Sequence, residues 1–480
     1  MATESAADGG RFRVYASRCA RLDSDVIEGG GSDDTAALQE ILDQAPRRGG
    51  LHLIMDGAAL VRGLDVHGNT TIECESQACG FFLAPGSNRS VVQNAHPSFG
   101  PRRDRHITLL GGTYNHNCSG QLHHVPRASG PDGVFGAERW VMAMEFYGVE
   151  DLTLRDLTIR NQRTFALLAA NWYRVTVDNM NIELPDIMTG QNQDGLHFWG
   201  PGQYLTIRNI KGCSGDDFIA LAPDENDGVS DITDVLVDGV YLEDADQGIR
   251  MLSRDRGRLD RVVVRNVLGT YKSFGFYINP WFPGPGGNFG SITVEHVDLR
   301  QTVHKYEYTN PFLFRIGGHI EALTLRDIRC HHPNDGRPIA EVGIPFHTAD
   351  DDPPAHSRIG ALVVDGLQVL DQRARAEEPY LEVRCPVDSL VLRDVHVLKQ
   401  PGDPPAGCLL ATAGHAHIGR LQASGLSVNG LAALIDHRSG AIDALSLNDV
   451  LCTGMAGPLV RGPGQLGPVY AAGVHGAPAI

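Results

Sequence analysis

A six-residue motif recurs along this chain, and its recurrence constrains the fold more than any other feature. The motif reads apolar, any, apolar, any, then Asp, Asn, Gly or His, then apolar, and its eleven copies begin at residues 152, 175, 205, 235, 262, 292, 323, 362, 390, 421 and 445. Successive copies are separated by 23, 30, 30, 27, 30, 31, 39, 28, 31 and 24 residues. A period of this length over eleven copies indicates a repeat architecture.

The element inside each repeat decides which repeat fold to expect. Each copy alternates apolar and polar residues as a strand does, and 20 to 30 residues accommodate about two or three strands with their corners and no helix. A leucine-rich repeat would need a helix-compatible half, and a propeller blade needs four strands in about 40 residues. The pattern therefore predicts an all-β fold, a right-handed parallel β-helix in which inward Leu, Ile and Val stack from coil to coil.

The regions around the repeats predict the domain organisation. Residues 1–30 form a lead-in with one strand at 12–15, residues 31–455 form a single β-helix domain, and residues 456–480 form a Gly/Pro-rich C-terminal tail. After capping residues at 32–35, the segment 36–44 places its apolar residues on one helical face, which predicts a short amphipathic helix. We expect this helix to cover the open end of the first coil.

Charge and composition exclude several classes of partner. The chain has 41 Lys and Arg against 58 Asp and Glu, a formal net charge of -17. Nucleic acids and anionic membranes select cationic surfaces, so we expect neither as a partner. The first residues show no basic segment followed by an apolar one, which predicts a cytoplasmic protein, or a secreted one if a leader was removed. The oligomeric state stays open.

The cysteines and histidines predict no metal site. Nine cysteines are scattered along the chain without a Cys-x-x-Cys pair. Cys74 and Cys79 could close a small loop, but we expect separate thiols. No set of His and Cys has the spacing of a zinc site, and we expect neither a metal nor another cofactor.

Two acidic turns carry the chemistry that the sequence indicates. Asp194 lies in an Asn-Gln-Asp-Gly turn, and the pair Asp216 and Asp217 follows 22 residues later in a Ser-Gly-Asp-Asp turn. Residues one coil apart in a β-helix lie at about the strand spacing of 4.8 Å, so the three carboxyl groups are predicted to cluster. Glycoside hydrolysis needs such a cluster, with one carboxyl group protonated and another ionised. The alternative is that these residues only cap turns, as Asp does at many strand corners.

These motifs are similar to those of glycoside hydrolase family 28, the polygalacturonases. The similarity covers roughly residues 30–300 and includes Asn192-Gln193-Asp194-Gly195, Gly215-Asp216-Asp217 and the Gly-Gly-Thr-Tyr-Asn run at 111–115. The resemblance implies a right-handed parallel β-helix and an inverting hydrolysis. By position, it implies that Asp216 is the general acid and that Asp194 and Asp217 hold and deprotonate the attacking water.

Two further motifs of that family differ in this chain. Where the family has Gly-His-Gly, this sequence has Gln247-Gly248, and where it has an Arg-x-Lys that binds a uronate carboxylate, this sequence has Tyr277-Ile278-Asn279. Arg250 or Lys272 could replace the missing cations, or the sugar at the cleavage site could be neutral. Because all three carboxylates are retained, we expect a changed substrate and not a lost activity.

Several residues near the acidic turns are candidates for substrate binding. His197 follows Asp194 by three residues and either orients substrate or fills a corner. The rings of Trp199, Tyr277 and Trp281 either stack on a sugar or pack in the core. With Gln247, Arg250, Lys272 and Asn279, they complete the predicted substrate-binding set.

The sequence favours a glycoside hydrolase that acts on a pectin-like or related oligosaccharide or polysaccharide. A polysaccharide lyase or epimerase on the same scaffold is one alternative, and it would need a Lys, Arg or His base near C5 of the sugar; a non-catalytic glycan-binding β-helix is another. The identity of the sugar, the linkage, and the choice between endo and exo action stay open.

Overall fold

The computed structural model describes residues 12–126, 138–186, 192–280, 287–302, 311–332, 338–343, 357–371, 378–399 and 405–476. Almost all of the strands that these residues form pair in parallel, and each long strand pairs with a strand one repeat later in the sequence. The chain is thus an all-β right-handed parallel β-helix with a short helix near its start, as the repeats predict. No helix among the described residues is long and apolar enough to span a membrane.

The chain divides into two compact units, Met1–Ala245 and Asp246–Ile480. The strand Ile232–Leu252 runs across the division. The prediction of one domain over residues 31–455 stays a prediction.

The first unit is a stack of parallel coils. Its strands are Phe12–Tyr15, Leu51–Met55, Ala58–Val61, Leu64–Val66, Thr70–Cys74, Gly80–Leu83, Val92–Asn94, Asp104–Leu110, Thr113–Asn115, Met144–Arg155, Thr158–Arg160, Leu167–Glu183, Leu196–Gly212 and Asp217–Ala222. Two further short strands, His124–Pro126 and Glu138–Trp140, pair antiparallel as a hairpin. The predicted strand at 12–15 is confirmed, and it pairs with Leu51–Met55.

The predicted amphipathic helix is present, at Thr35–Leu42. Its apolar face is Leu38 and Leu42, both fully buried. The Gln39 side chain donates to the Asp65 carbonyl oxygen (3.0 Å) and accepts from the Asp65 N–H (2.9 Å), which fixes the helix to the strand Leu64–Val66. The other helical segments are single turns, at Ala16–Arg18, Ala45–Arg48 and Cys118–Gly120.

The second unit repeats the same coil. Its strands are Arg258–Asn279, Asn288–Gln301, Phe312–Ile316, His319–His332, Ala340–Val342, Arg358–Asp371, Leu381–Val383, Pro386–Arg393, His396–Lys399, Cys408–Thr412, His417–Asn429, Ala433–His437, Ala441–Ile442, Leu445–Thr453, Val460–Arg461, Gln465–Leu466 and Val469–His475. The last three lie in the segment that the sequence predicts to be a tail. Val469–His475 pairs in parallel with Leu445–Thr453, so the described part of this segment, residues 456–476, continues the coils.

The core of each unit is a set of apolar columns. Val177, Ile207 and Val237 occupy one register position on three neighbouring coils, and each is fully buried. Burial of one such side chain contributes about 1.5–3 kcal/mol, so a column of them stabilises the stack continuously along its axis. In the second unit Val264 and Val294 are paired in the same way.

A recurrent corner follows each repeated strand. The fifth residue of every motif copy has a positive φ, between 49° at Asp394 and 83° at Gly239. This is the left-handed region, which Gly enters freely and Asn, Asp and His enter more readily than other residues. The residue types that define the repeat in the sequence are therefore those that its corner requires. The full set is Asp156, Asn179, Asn209, Gly239, Asn266, His296, Asp327, Gly366, Asp394, Gly425 and Asp449.

The cysteines form no disulfide in the structure. Cys74 and Cys79 are both buried thiols, as the sequence predicts. Burial raises the pKa of the Cys74 thiol to about 12, with a further contribution from the neighbouring Cys79.

Candidate active site

Asp194 and Asp217 lie at the same position on neighbouring coils. The strands Leu196–Gly212 and Asp217–Ala222 pair with Leu196 opposite Ile219, so two residues earlier Asp194 is opposite Asp217. The Gly195 N–H donates to the Asp217 carbonyl oxygen at 2.9 Å. A Cβ at Gly195 would lie 2.3 Å from the Phe218 carbonyl oxygen, so this close approach requires glycine after Asp194.

Asp216 differs from its neighbour in its exposure. It precedes the strand and lies in a turn, where the Gly215 N–H donates to the Gln193 carbonyl oxygen at 2.9 Å. One Asp216 carboxylate oxygen accepts the Asn192 backbone N–H at 3.0 Å. Asp216 is half-buried, whereas Asp217 is 6% exposed and Asp194 is 2% exposed. Asp216 is therefore the carboxyl group of the three that is most open to a substrate.

His197 links Asp194 to a second carboxylate. Its ring is buried, with Nδ1 at 2.8 Å from an Asp194 oxygen and Nε2 at 2.7 Å from a Glu225 oxygen. Burial alone would lower the pKa of the imidazole, but the Glu225 and Asp194 carboxylates outweigh it and raise the pKa to about 10. The ring is therefore an imidazolium at neutral pH, and both of its nitrogens donate. It fixes the Asp194 carboxylate in one orientation.

Glu225 is a member of this cluster that the motifs do not reveal. Besides His197, it accepts the Trp199 indole N–H at 2.9 Å. It lies in the turn after the strand Asp217–Ala222, outside any repeated motif. The feature of the sequence that could have pointed to Glu225 is its position. It lies just after the strand that pairs with the strand of His197.

An aromatic ring packs against the imidazolium. The Phe165 ring stacks on the His197 ring with centroids 4.4 Å apart and planes 8° apart. The backbone of Asp194 is held as well. The Gln162 side chain donates to the Asp194 carbonyl oxygen at 3.2 Å, and the Gln193 side chain donates to the Gln162 carbonyl oxygen at 3.0 Å. Backbone and side chain of Asp194 are thus both held by buried groups.

Trp199 and His197 hold the carboxyl groups of Asp194 and Glu225 through buried hydrogen bonds. Trp199 is 2% exposed and its N–H is bonded to Glu225. Of the two interpretations open from the sequence, core packing and not sugar stacking describes Trp199. His197 orients Asp194, which is itself a candidate catalytic group.

The second unit contains a separate cluster built on Tyr277. This ring is fully buried, and the Arg250 guanidinium carbon lies 4.1 Å from its centroid. Arg315 lies on the next coil, 5.8 Å from the Tyr277 centroid, and its guanidinium is paired with Glu341 at 3.0 Å. Burial raises the pKa of the Tyr277 hydroxyl, although both arginines oppose the shift. Packing, the alternative considered for this ring, is what the structure shows.

The other predicted substrate-binding residues of the second unit differ in their exposure to solvent. Gln247 is 7% exposed and Asn279 is fully buried. Lys272 is half-buried. Trp281 lies outside the described residues. No group of three or more His, Cys, Asp or Glu within the described ranges is arranged to hold a metal ion.

Comparison with known proteins supports the fold. No protein-family model and no curated protein sequence matches the chain. Among solved structures, it is similar to an exopolygalacturonase from Thermotoga maritima, with a TM-score of 0.50, 11% identity, and 87% of this chain and 92% of that chain covered. The N-terminal fragment of gene product 12 of bacteriophage Phi29 gives a TM-score of 0.51 at 11% identity, covering 94% and 80%. PfbA, a surface adhesin of Streptococcus pneumoniae, gives 0.50 at 12%, covering 86% and 90%.

These similarities and the site together define a class. The fold is the parallel β-helix of proteins that include glycoside hydrolases and adhesins. In this chain it carries a cluster of buried and half-buried carboxyl groups on neighbouring coils. At such low sequence identity the similarity shows the fold alone. An activity has to be argued from the residues of the candidate site.

Proposed function

We propose that this chain is a glycoside hydrolase that cleaves a pectin-like or related oligosaccharide or polysaccharide with inversion. The observation that supports it most directly is the alignment of Asp194 and Asp217 on adjacent coils, with the more open Asp216 beside them. The motif similarity to polygalacturonases points to the same residues.

Each carboxyl group has a role that its surroundings suit. Asp216, the most open of the three, protonates the leaving glycosidic oxygen. Asp194 and Asp217 hold a water molecule and take its proton as it attacks the anomeric carbon from the opposite face. The imidazolium of His197 donates to Asp194 and holds its carboxyl group in place. His197 is therefore a positioning residue and not a catalytic one.

Gln247, Arg250, Lys272, Tyr277 and Asn279 stay predicted substrate contacts of the second unit, and the proposal for Asp194, Asp216 and Asp217 does not depend on them. Arg250 and Arg315 place two cations around Tyr277, and a partly exposed cation, Lys272, lies on the same strand as Tyr277. Arg250 is 2% exposed and Arg315 is paired with Glu341, so Lys272 is the most accessible of these three cations to a sugar carboxylate.

The decisive test is Asp216→Asn, assayed by the release of reducing sugar from pectic, rhamnogalacturonan and neutral glycans. We expect a loss of activity of about 10²- to 10⁴-fold, because the amide of the variant has no acidic proton to transfer to the leaving oxygen. Asp156→Asn is the matched control, since it changes an Asp to an Asn at an exposed corner. An Asp216→Asn enzyme that is as active as the Asp156→Asn enzyme would contradict the proposal.

Two further readouts separate the alternatives. Proton NMR of the first product gives its anomeric configuration, and inversion is expected. A lyase would instead release an unsaturated uronate that absorbs in the ultraviolet. A glycan-binding module would bind these glycans and release no sugar from them.

A further inference from the structure

A row of aromatic rings leads from the hairpin to the candidate active site. In the hairpin, His124 is paired with Trp140, and their ring centroids are 6.0 Å apart. His123 lies beside both rings, 4.1 Å from His124 and 6.2 Å from Trp140. All three side chains are partly exposed.

The row continues inward through Phe165. Trp140 contacts the Phe165 ring edge to face, with centroids 5.1 Å apart and planes at 85°. Phe165 is 1% exposed and stacks on His197, whose Nδ1 binds Asp194. Trp140 is therefore two ring contacts away from the imidazolium that orients Asp194.

Bonds on both sides of Trp140 fix its position. On one side, Arg139 forms an ion pair with Glu145, which is 1% exposed. On the other side, the Val141 N–H donates to the His123 carbonyl oxygen at 3.1 Å, and the Thr164 hydroxyl donates to the Val141 carbonyl oxygen at 2.8 Å. An indole that is held this firmly and left partly exposed loses little entropy when a ligand packs on it.

We propose that Trp140, His123 and His124 form a binding surface for one pyranose ring of the oligosaccharide. This inference rests on the proposed function. Trp140 offers a large apolar face for the C–H face of the sugar, and the two imidazole rings, whose Nδ1 atoms lie 2.9 Å apart, border it.

The competing explanation is that Trp140 only covers the core at Phe165. Replacement by alanine would then lower stability and leave glycan binding unchanged. The two explanations differ in the dissociation constant, which can be measured without turnover.

The experiment is titration calorimetry in the Asp216→Asn background, so that the ligand stays intact. The probes are trigalacturonate and a rhamnogalacturonan tetrasaccharide. We expect Trp140→Ala to weaken the binding of one or both by about tenfold, and Trp140→Phe by less, because phenylalanine keeps a smaller ring.

His124→Ala is a second variant in case Trp140→Ala does not fold. Tyr204→Ala is the matched control, because Tyr204 is an exposed aromatic residue that packs on Tyr173 in the same unit.

Two results would overturn the inference. One is a Trp140→Ala dissociation constant within about twofold of that of the Asp216→Asn parent. The other is the failure of both probes to bind the parent. If Trp140→Ala weakens binding while the wild-type protein hydrolyses neither probe, the binding surface stands and the hydrolase proposal fails.

Discussion

The corner residue of each repeat has a left-handed backbone, and side chains at some of these corners are linked from coil to coil. The Asn179 amide donates to the Asp156 carboxylate at 2.7 Å, and the Asn209 amide donates to the Asp178 carboxylate at 3.1 Å. In the sequence, these positions can be recognised because the same few residue types recur at them in every repeat. Their backbone conformation could not be predicted from the period alone, since Asp and Asn also occur at corners with negative φ.

Asn209, with a φ of 54°, allows the backbone effect to be measured. Asn209→Ala and Asn209→Gly both remove the bond to Asp178, but only alanine carries a Cβ. We expect the alanine variant to be about 1 kcal/mol less stable than the glycine variant. Urea unfolding of the two proteins gives the difference directly. Equal stabilities would show that the corner relaxes around the side chain.

The charge of His197 makes the free energy of unfolding depend on pH. Its pKa rises from 6.5 to about 10 on folding, so the folded state binds the proton more tightly than the unfolded state does. The resulting stability is fully present below pH 6.5 and is lost as the pH rises towards about 10.

The comparison with His197→Gln isolates this charge. We expect the glutamine variant to be less stable by about 3 kcal/mol at pH 6.5, because Asp194 and Glu225 lose the cation between them. The difference should shrink towards pH 10, where the wild-type ring also becomes neutral. Urea unfolding across this range is the measurement. A difference that is constant with pH would mean that His197 is neutral in the folded protein.

The candidate site shows which residues the sequence could and could not identify. Asp194, Asp216 and Asp217 were identifiable because their motifs have a fixed spacing. Glu225 and Phe165 were not, since each meets His197 through a contact between coils and neither belongs to a motif.

At the scale of elements, the strands extend further than the six-residue motif suggests. The strand Arg258–Asn279 has 22 residues, because pairing with the neighbouring coil continues around the corner. Apolar alternation reveals the straight part of a strand and is interrupted at the corner, so the sequence predicts the number of repeats better than the length of each strand. The helix was predictable to within two residues at its C-terminal end, since its apolar face has a helical period.

The helix offers a test of its predicted role as a cover for the first coil. Leu38 is fully buried against that coil, and Glu40 is exposed on the opposite side. We expect Leu38→Ala to lower the free energy of unfolding by about 3 kcal/mol, as for other buried leucines, and Glu40→Ala to change it by less than about 0.5 kcal/mol. Thermal unfolding of both variants would settle the point. A small effect of Leu38→Ala would indicate that the helix only lies on the surface.

At the scale of the whole molecule, the stacking of coils makes stability local. Each coil contacts its neighbours along the sequence, so the stability of such a fold is close to a sum of coil and interface contributions. The two compact units are each built in this way.

Hydrogen exchange in the second unit can test this locality. Leu447 is fully buried in the strand Leu445–Thr453, whereas Leu451 on the same strand is 47% exposed. Leu447→Ala should speed exchange in this strand and in the neighbouring His417–Asn429 and Val469–His475, and leave Asn288–Gln301 unchanged. Leu451→Ala should have little effect anywhere. Uniformly faster exchange throughout the unit would mean that it unfolds as one cooperative body.

The longest step between motif copies, 39 residues, leaves the coil on either side of it undisturbed. The strands His319–His332 and Arg358–Asp371 stay paired residue by residue, with Leu323 opposite Leu362 and Ile328 opposite Leu367. The additional residues between these two strands therefore do not change the register of their pairing. The entropy cost of closing a longer connection rises only slowly with its length. A connection between two coils can therefore differ in length while the pairing of the strands, and with it the core that they enclose, stays the same.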